Sequence, residues 1–136
     1  MTSDRLEPTT GSPSSNHRWK RKFTCAFRGL YRGTQGQDSF IIHVPCAIAV
    51  LILGAWLAIP PTQWALLILS ISLVMTTELV NSALEHLVRA IHPQTHPLIG
   101  DALDIASGAV LVASCFAMSV GGIIFIPELL QWWAAG

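Results

Sequence analysis

No lysine or arginine occurs between Gly33 and Val88, and none follows Arg89. Seven of the eight basic residues lie before residue 33. The stretch they leave bare holds three long apolar runs, and that pattern narrows the folds open to the chain. The first run is Phe40 to Ile59, broken by Pro60-Pro61, with His43 and Pro45 near its start. The second starts at Gln63 and Trp64 and keeps a helical pattern to Ile91. The third is uncharged from Ile105 to Pro127. A membrane-spanning helix needs about 20 predominantly apolar residues, and each run is long enough. Charged residues make up 12% of the chain, roughly half the ~25% of a soluble domain, and mean hydropathy is +0.51. The expected fold is all-α: three transmembrane helices, at about residues 40–59, 64–91 and 98–126, preceded by a surface helix.

The segment before the spans divides in two. Residues 1–16 are rich in Ser, Thr, Pro and Gly and read as disordered. They do not form a signal peptide, since no apolar h-region follows closely and no cleavage site is evident. Residues 17–37 interleave Arg and Lys with Trp19, Phe23, Phe27, Leu30 and Tyr31. The last four give one apolar stripe, as in an amphipathic helix lying on a membrane, with basic residues suited to anionic headgroups. A basic nucleic-acid-binding segment is the competing reading, and the membrane span that follows at once argues against it. Residues 17–136 are thus expected to form one membrane domain. The cysteines, Cys25, Cys46 and Cys115, are odd in number and fit neither a disulfide framework nor a zinc site. They read as reduced packing residues.

The Pro60–Gln63 link is uncharged, whereas the link after the second span holds Arg89 and follows His86 with His92 and His96. By the positive-inside rule the N-terminal basic helix and the Arg89 link face the cytoplasm, and the Pro-Pro turn and the C-terminus face outward. Glu128 and the pair Trp132-Trp133 mark an interfacial end.

The second helix carries acids. Measured from Trp64, Glu78 lies about 21 Å along it and Glu85 about 31 Å. Glu78 then sits in the inner leaflet and Glu85 near the boundary. Asn81, Ser82 and Glu85 follow Glu78 by three, four and seven residues, which places all four on one face. A carboxylate within the bilayer is expensive and usually faces a bundle interior, where it does chemistry. One acid deep and one shallow suit a base plus a metal ligand: an anionic nucleotide needs Mg²⁺, which takes carboxylate oxygens. The plainer alternative is a helix end emerging into water, which explains Glu85 well and Glu78 poorly. The third span opens with Asp104 at its edge and small residues Ala106, Ser107, Gly108 and Ala109 that allow close helix packing. A metal site formed by His86, His92 and His96 is disfavoured by Pro93 and Pro97.

The block ELVNSALE at Glu78–Glu85, followed by HPLIGDALDIASGAVL at His96–Leu111, resembles the prokaryotic diacylglycerol kinase family, which includes the undecaprenol kinases. FTCAFRGLYRG with SFIIH resembles that family's surface helix and the start of its first span. The likeness covers roughly residues 18–125. It implies a homotrimer in the bacterial inner membrane, with the N-terminus cytoplasmic and composite sites that move the γ-phosphate of ATP to a lipid hydroxyl with Mg²⁺. The favoured product is phosphatidic acid from diacylglycerol, with undecaprenol as the alternative acceptor. Glu78 falls on the family's catalytic base and Glu85 on a magnesium ligand. Asn81 falls on a polar position that orients Glu78 or substrate. His96 and Asp104 fall in nucleotide-contacting stretches, Arg18 near a nucleotide-contacting arginine, and Ser107 near the lipid-contacting part of the third span. Two positions depart from the pattern. Gln37 stands where the family has a second magnesium-binding glutamate, with Asp38 beside it, and Leu103 stands where it has a lysine. A non-catalytic relative that keeps the fold is therefore the reading from another class. A transporter lacks the inverted repeat or broken span it would need.

Overall fold

The computed structural model describes residues 15–35, 38–92, 94 and 96–135. Residues 1–14 and Gln37, on which two of the expectations above fall, lie outside the described residues. Four helices are described: α1 at Ser15–Thr34, α2 at Asp38–Trp56, α3 at Pro61–Ile91 and α4 at Pro97–Ala135. Three of them are long and apolar enough to cross a membrane, over Ser39–Trp56, Pro61–Ile91 and Pro97–Ala134. The chain divides into two compact units, Met1–Arg32 and Gly33–Gly136.

The first unit contains most of α1. Its apolar residues Trp19, Phe23, Phe27, Leu30 and Tyr31 are all exposed. Trp19 and Phe23 meet one turn apart with ring centroids 6.4 Å from each other, and the Lys22 ammonium lies 5.0 Å from the Trp19 ring centre. An apolar stripe left uncovered beside a cationic flank is what an interfacial helix offers to lipid.

In the second unit α3 packs chiefly against α4. The buried residues of α3 are Leu67, Val74, Glu78, Asn81 and Ser82. Their spacing makes a single stripe that is apolar at one end of the helix and polar at the other. Val110, Ala113, Ile124 and Phe125 form the matching stripe of α4. Ile59, Leu67, Ile124 and Phe125 make a closed apolar cluster near the α2–α3 turn, flanked by Val50, Leu53, Leu57, Trp64 and Val120. The many large apolar residues exposed on the unit, such as Ile52, Leu69, Phe116 and Ile123, face outward as they must in a bilayer. The three cysteines are free and exposed.

Helix α2 stops at Trp56, short of the Ile59 end the apolar run predicts, because the chain turns left-handed. Ala58 has φ 50°. The Ile59 N–H donates to the Gly54 carbonyl at 3.3 Å and the Ala58 N–H to the Ala55 carbonyl at 3.3 Å. This pair of bonds satisfies the last carbonyls of the helix in the Schellman arrangement. Gly54 permits the fold-back, since a Cβ there would lie 3.2 Å from Ile59 Cδ1 and 3.3 Å from the Trp64 ring. Pro60 then caps α3 and Pro61 occupies its first turn, where a missing N–H costs nothing. Helix α4 differs from expectation in the other direction: it continues through Pro127 to Ala135. Two contacts hold this continuation. Gln63 Nε2 donates to Glu128 Oε1 at 3.3 Å, and the Trp56 and Trp132 rings lie 4.9 Å apart.

Candidate active site on the polar half of the third helix

By the end of its buried stripe, α3 has changed character. Glu78 is 1% exposed and Ser82 0%, and Asn81 is also buried. Glu78 Oε1, Asn81 Oδ1 and Ser82 Oγ are all buried without a hydrogen-bond partner among the described residues. Burying a polar group unpaired is costly, more so for a carboxylate, and three such atoms within five residues amount to a prepared set of acceptors. Glu85, one turn further on, is half-buried. Asn81 Nδ2 donates to its Oε1 at 3.2 Å and Arg89 Nη2 to its Oε2 at 3.1 Å.

The structure thus brings Glu78, Asn81, Ser82 and Glu85 onto one face, as the spacing predicts. The Asn81 amide meets Glu85 rather than Glu78, and the Asn81 carbonyl oxygen has no partner among the described residues. The other candidates stand differently. Asp104 and Ser107 are exposed on α4, and Ser107 Oγ donates to the Leu103 carbonyl at 3.0 Å. His96 is exposed immediately before α4, its ring 6.0 Å from that of His92. Arg18 is exposed on α1 in the separate first unit. The Glu85–Arg89 pair was missed from sequence, although an acid four residues before a base on a helix is its ordinary signal.

The donors on this face are oxygens: a carboxylate, an amide carbonyl and a hydroxyl beside a second carboxylate. That chemistry suits Mg²⁺, which prefers hard oxygen ligands. Among the described residues no three of His, Cys, Asp and Glu converge as a metal site. A cleft of about 400 Å³ runs between α2, α3 and α4; on α3 its lining extends from Leu67 to Met75 and stops short of Glu78. Val74, Met75, His43, Cys46 and Ser114 are among its lining residues, and the lining is overwhelmingly apolar.

Fold and site together define a three-span helical membrane protein with an acid–amide–hydroxyl group buried at the end of α3 remote from the Pro60 turn. The chain belongs to the prokaryotic diacylglycerol kinase family, a family of lipid kinases, whose model matches residues 24–125. It is 34% identical over 113 residues to the undecaprenol kinase of Bacillus subtilis, covering 83% of this chain and 92% of that protein. It is 38% identical over 110 residues to a diacylglycerol kinase of Synechocystis, covering 80% of this chain and 63% of the relative. With the diacylglycerol kinase of Escherichia coli K12 it shares 32% identity over 93 residues, 68% of this chain and 76% of the other.

Proposed function

We propose that this chain moves the γ-phosphate of ATP to the hydroxyl of a membrane lipid, with diacylglycerol as the first acceptor and phosphatidic acid as the product. The observation that carries the reading is Glu78: a carboxylate 1% exposed, with an unpartnered oxygen, in a helix that crosses the membrane. In the proposed step Glu78 takes the proton of the lipid hydroxyl. The hydroxyl oxygen bonds to the γ-phosphorus, the bond from that phosphorus to the β–γ bridging oxygen breaks, and ADP leaves. A base serves only within hydrogen-bond reach of its proton. The apolar cleft lined by Val74 and Met75 supports an acceptor with acyl chains. Glu85, steered by Asn81, and the unpaired Asn81 carbonyl would hold Mg²⁺, with Gln37 the family-equivalent of a further ligand. When bound, Mg²⁺ offsets phosphate charge during transfer.

His96 and Asp104 lie where α4 begins, beside the end of α3 in the chain, and are assigned to the nucleotide, as is Arg18. Ser107, one turn into α4 from Asp104, is assigned to the lipid. A homotrimer would complete from a second copy what one chain leaves partial. The charge pattern supports a bacterial inner-membrane protein with its N-terminus and its Arg89 end on the cytoplasmic side, where ATP is available. Undecaprenol is the second acceptor reading, favoured by a match to the Bacillus subtilis undecaprenol kinase that spans 92% of that protein. Phosphate transfer from labelled ATP, with each lipid offered separately in mixed micelles, tests the proposal and selects the acceptor.

A further inference from the structure

Arg89 is the one lysine or arginine in the sequence after Gly33. It carries the sole permanent positive charge of the unit Gly33–Gly136. The residues around that end of the unit are acidic: Glu85 before it, and Asp101 and Asp104 in the first turns of α4. A nucleoside triphosphate brings several more negative charges to the same place. Position 103, where the family resemblance calls for lysine, holds leucine, so this turn of α4 offers no cation.

The geometry of the Glu85 carboxylate is specific. Asn81 holds one oxygen and Arg89 the other. Asn81 is buried at 6% exposure, whereas the Arg89 side chain is 66% exposed. A cation accepted by Glu85 competes with both donors, and Arg89 is the one able to leave. An exposed i,i+4 ion pair is weakly held. The guanidinium fork has five donors suited to phosphate oxygens, and phosphates arriving with the metal supply a replacement acceptor at the same spot.

We propose that Arg89 is a phosphate ligand with two positions: on Glu85 in the nucleotide-free chain, and on the terminal phosphates once nucleotide binds, whether or not a metal takes its place on Glu85. There it supplies the positive charge that Leu103 cannot. The inference rests on the kinase reading above.

The test is equilibrium displacement of a fluorescent ATP analogue from the purified full chain in micelles. Wild type, Arg89→Ala and Arg89→Lys are compared, using ATP, ADP and AMP as competitors, each with Mg²⁺ and with EDTA. Arg89→Ala is expected to weaken ATP binding roughly tenfold or more, the effect of a charge-assisted hydrogen bond. The loss should shrink from ATP to ADP to AMP, persist in EDTA and be partly recovered by Arg89→Lys, with the thermal midpoint unchanged. Equal ATP affinity in wild type and Arg89→Ala overturns the proposal. So does a loss of the same size for AMP as for ATP, or a loss confined to Mg²⁺, which would mean that Arg89 acts only by holding Glu85. A wild-type chain that binds none of the nucleotides overturns the kinase reading, and this inference with it.

Discussion

Asn81 donates its side-chain amide to Glu85 Oε1 across 3.2 Å, tying a buried residue of α3 to a half-buried carboxylate one turn nearer the helix end. The bond fixes which way Glu85 points and leaves the Asn81 carbonyl oxygen directed into the buried cluster without a partner. Replacing Asn81 with leucine keeps the branched shape, though in a somewhat larger side chain, and removes both functions. Groups that orient a metal ligand are typically worth about 10–100-fold in metal affinity. The Mg²⁺ concentration at half-maximal activity of Asn81→Leu should rise by that order, with lipid KM little changed.

Glu78 separates stability from function. A buried carboxylate with an unpaired oxygen opposes folding in the membrane. Glu78→Gln removes the charge and keeps the shape. Phosphate transfer should fall by about 10²–10⁴-fold, the usual contribution of a positioned base. The thermal midpoint in detergent should hold or rise. A variant that loses activity by unfolding would show a lowered midpoint instead.

At the opposite end, Gln63 and Glu128 join α3 to α4. Glu128→Ala strands a part-buried amide whose Oε1 already lacks a partner. The expected cost is about 1–3 kcal/mol, the desolvation penalty of an unmatched buried group. Thermal unfolding in detergent reads it, and Glu128→Gln should restore most of the loss because an amide oxygen also accepts.

Ala58 occupies left-handed backbone at φ 50°, where a Cβ crowds the following carbonyl by about 1–2 kcal/mol. A β-branched residue fits worse. Ala58→Val should therefore lower the thermal midpoint, whereas Ala58→Gly should leave it equal or higher. Activity per folded molecule should be unchanged in both.

The spans were legible because apolar runs of this length have one economical solution in a membrane, and the Glu78 face was legible because helical spacing alone puts Asn81, Ser82 and Glu85 beside it. The helix ends were less so. Ala58 carries no residue-type signal for left-handed backbone, where glycine would have announced it. Pro127 looks like a stop, and only the contacts of Glu128 and Trp132 with residues far away in sequence show why the helix continues. The partner of Asn81 could not be read either, since Glu78 and Glu85 lie three and four residues away on the same face and only the side-chain conformation selects between them. Arg89 drew notice as a marker of topology and, with Arg18, as a cation to stand in for the lysine missing at Leu103, not as a partner of Glu85.

The most direct measurement is transfer of labelled phosphate from ATP to lipid by the purified protein in mixed micelles with Mg²⁺, offering diacylglycerol and undecaprenol separately, with Glu78→Gln alongside. Labelled lipid phosphate formed from one of the acceptors by the wild type, and abolished in a folded Glu78→Gln, is the result this account predicts. No transfer to either lipid by a folded wild-type chain would contradict it, and would point to Gln37 and Leu103 as the substitutions that silenced the site.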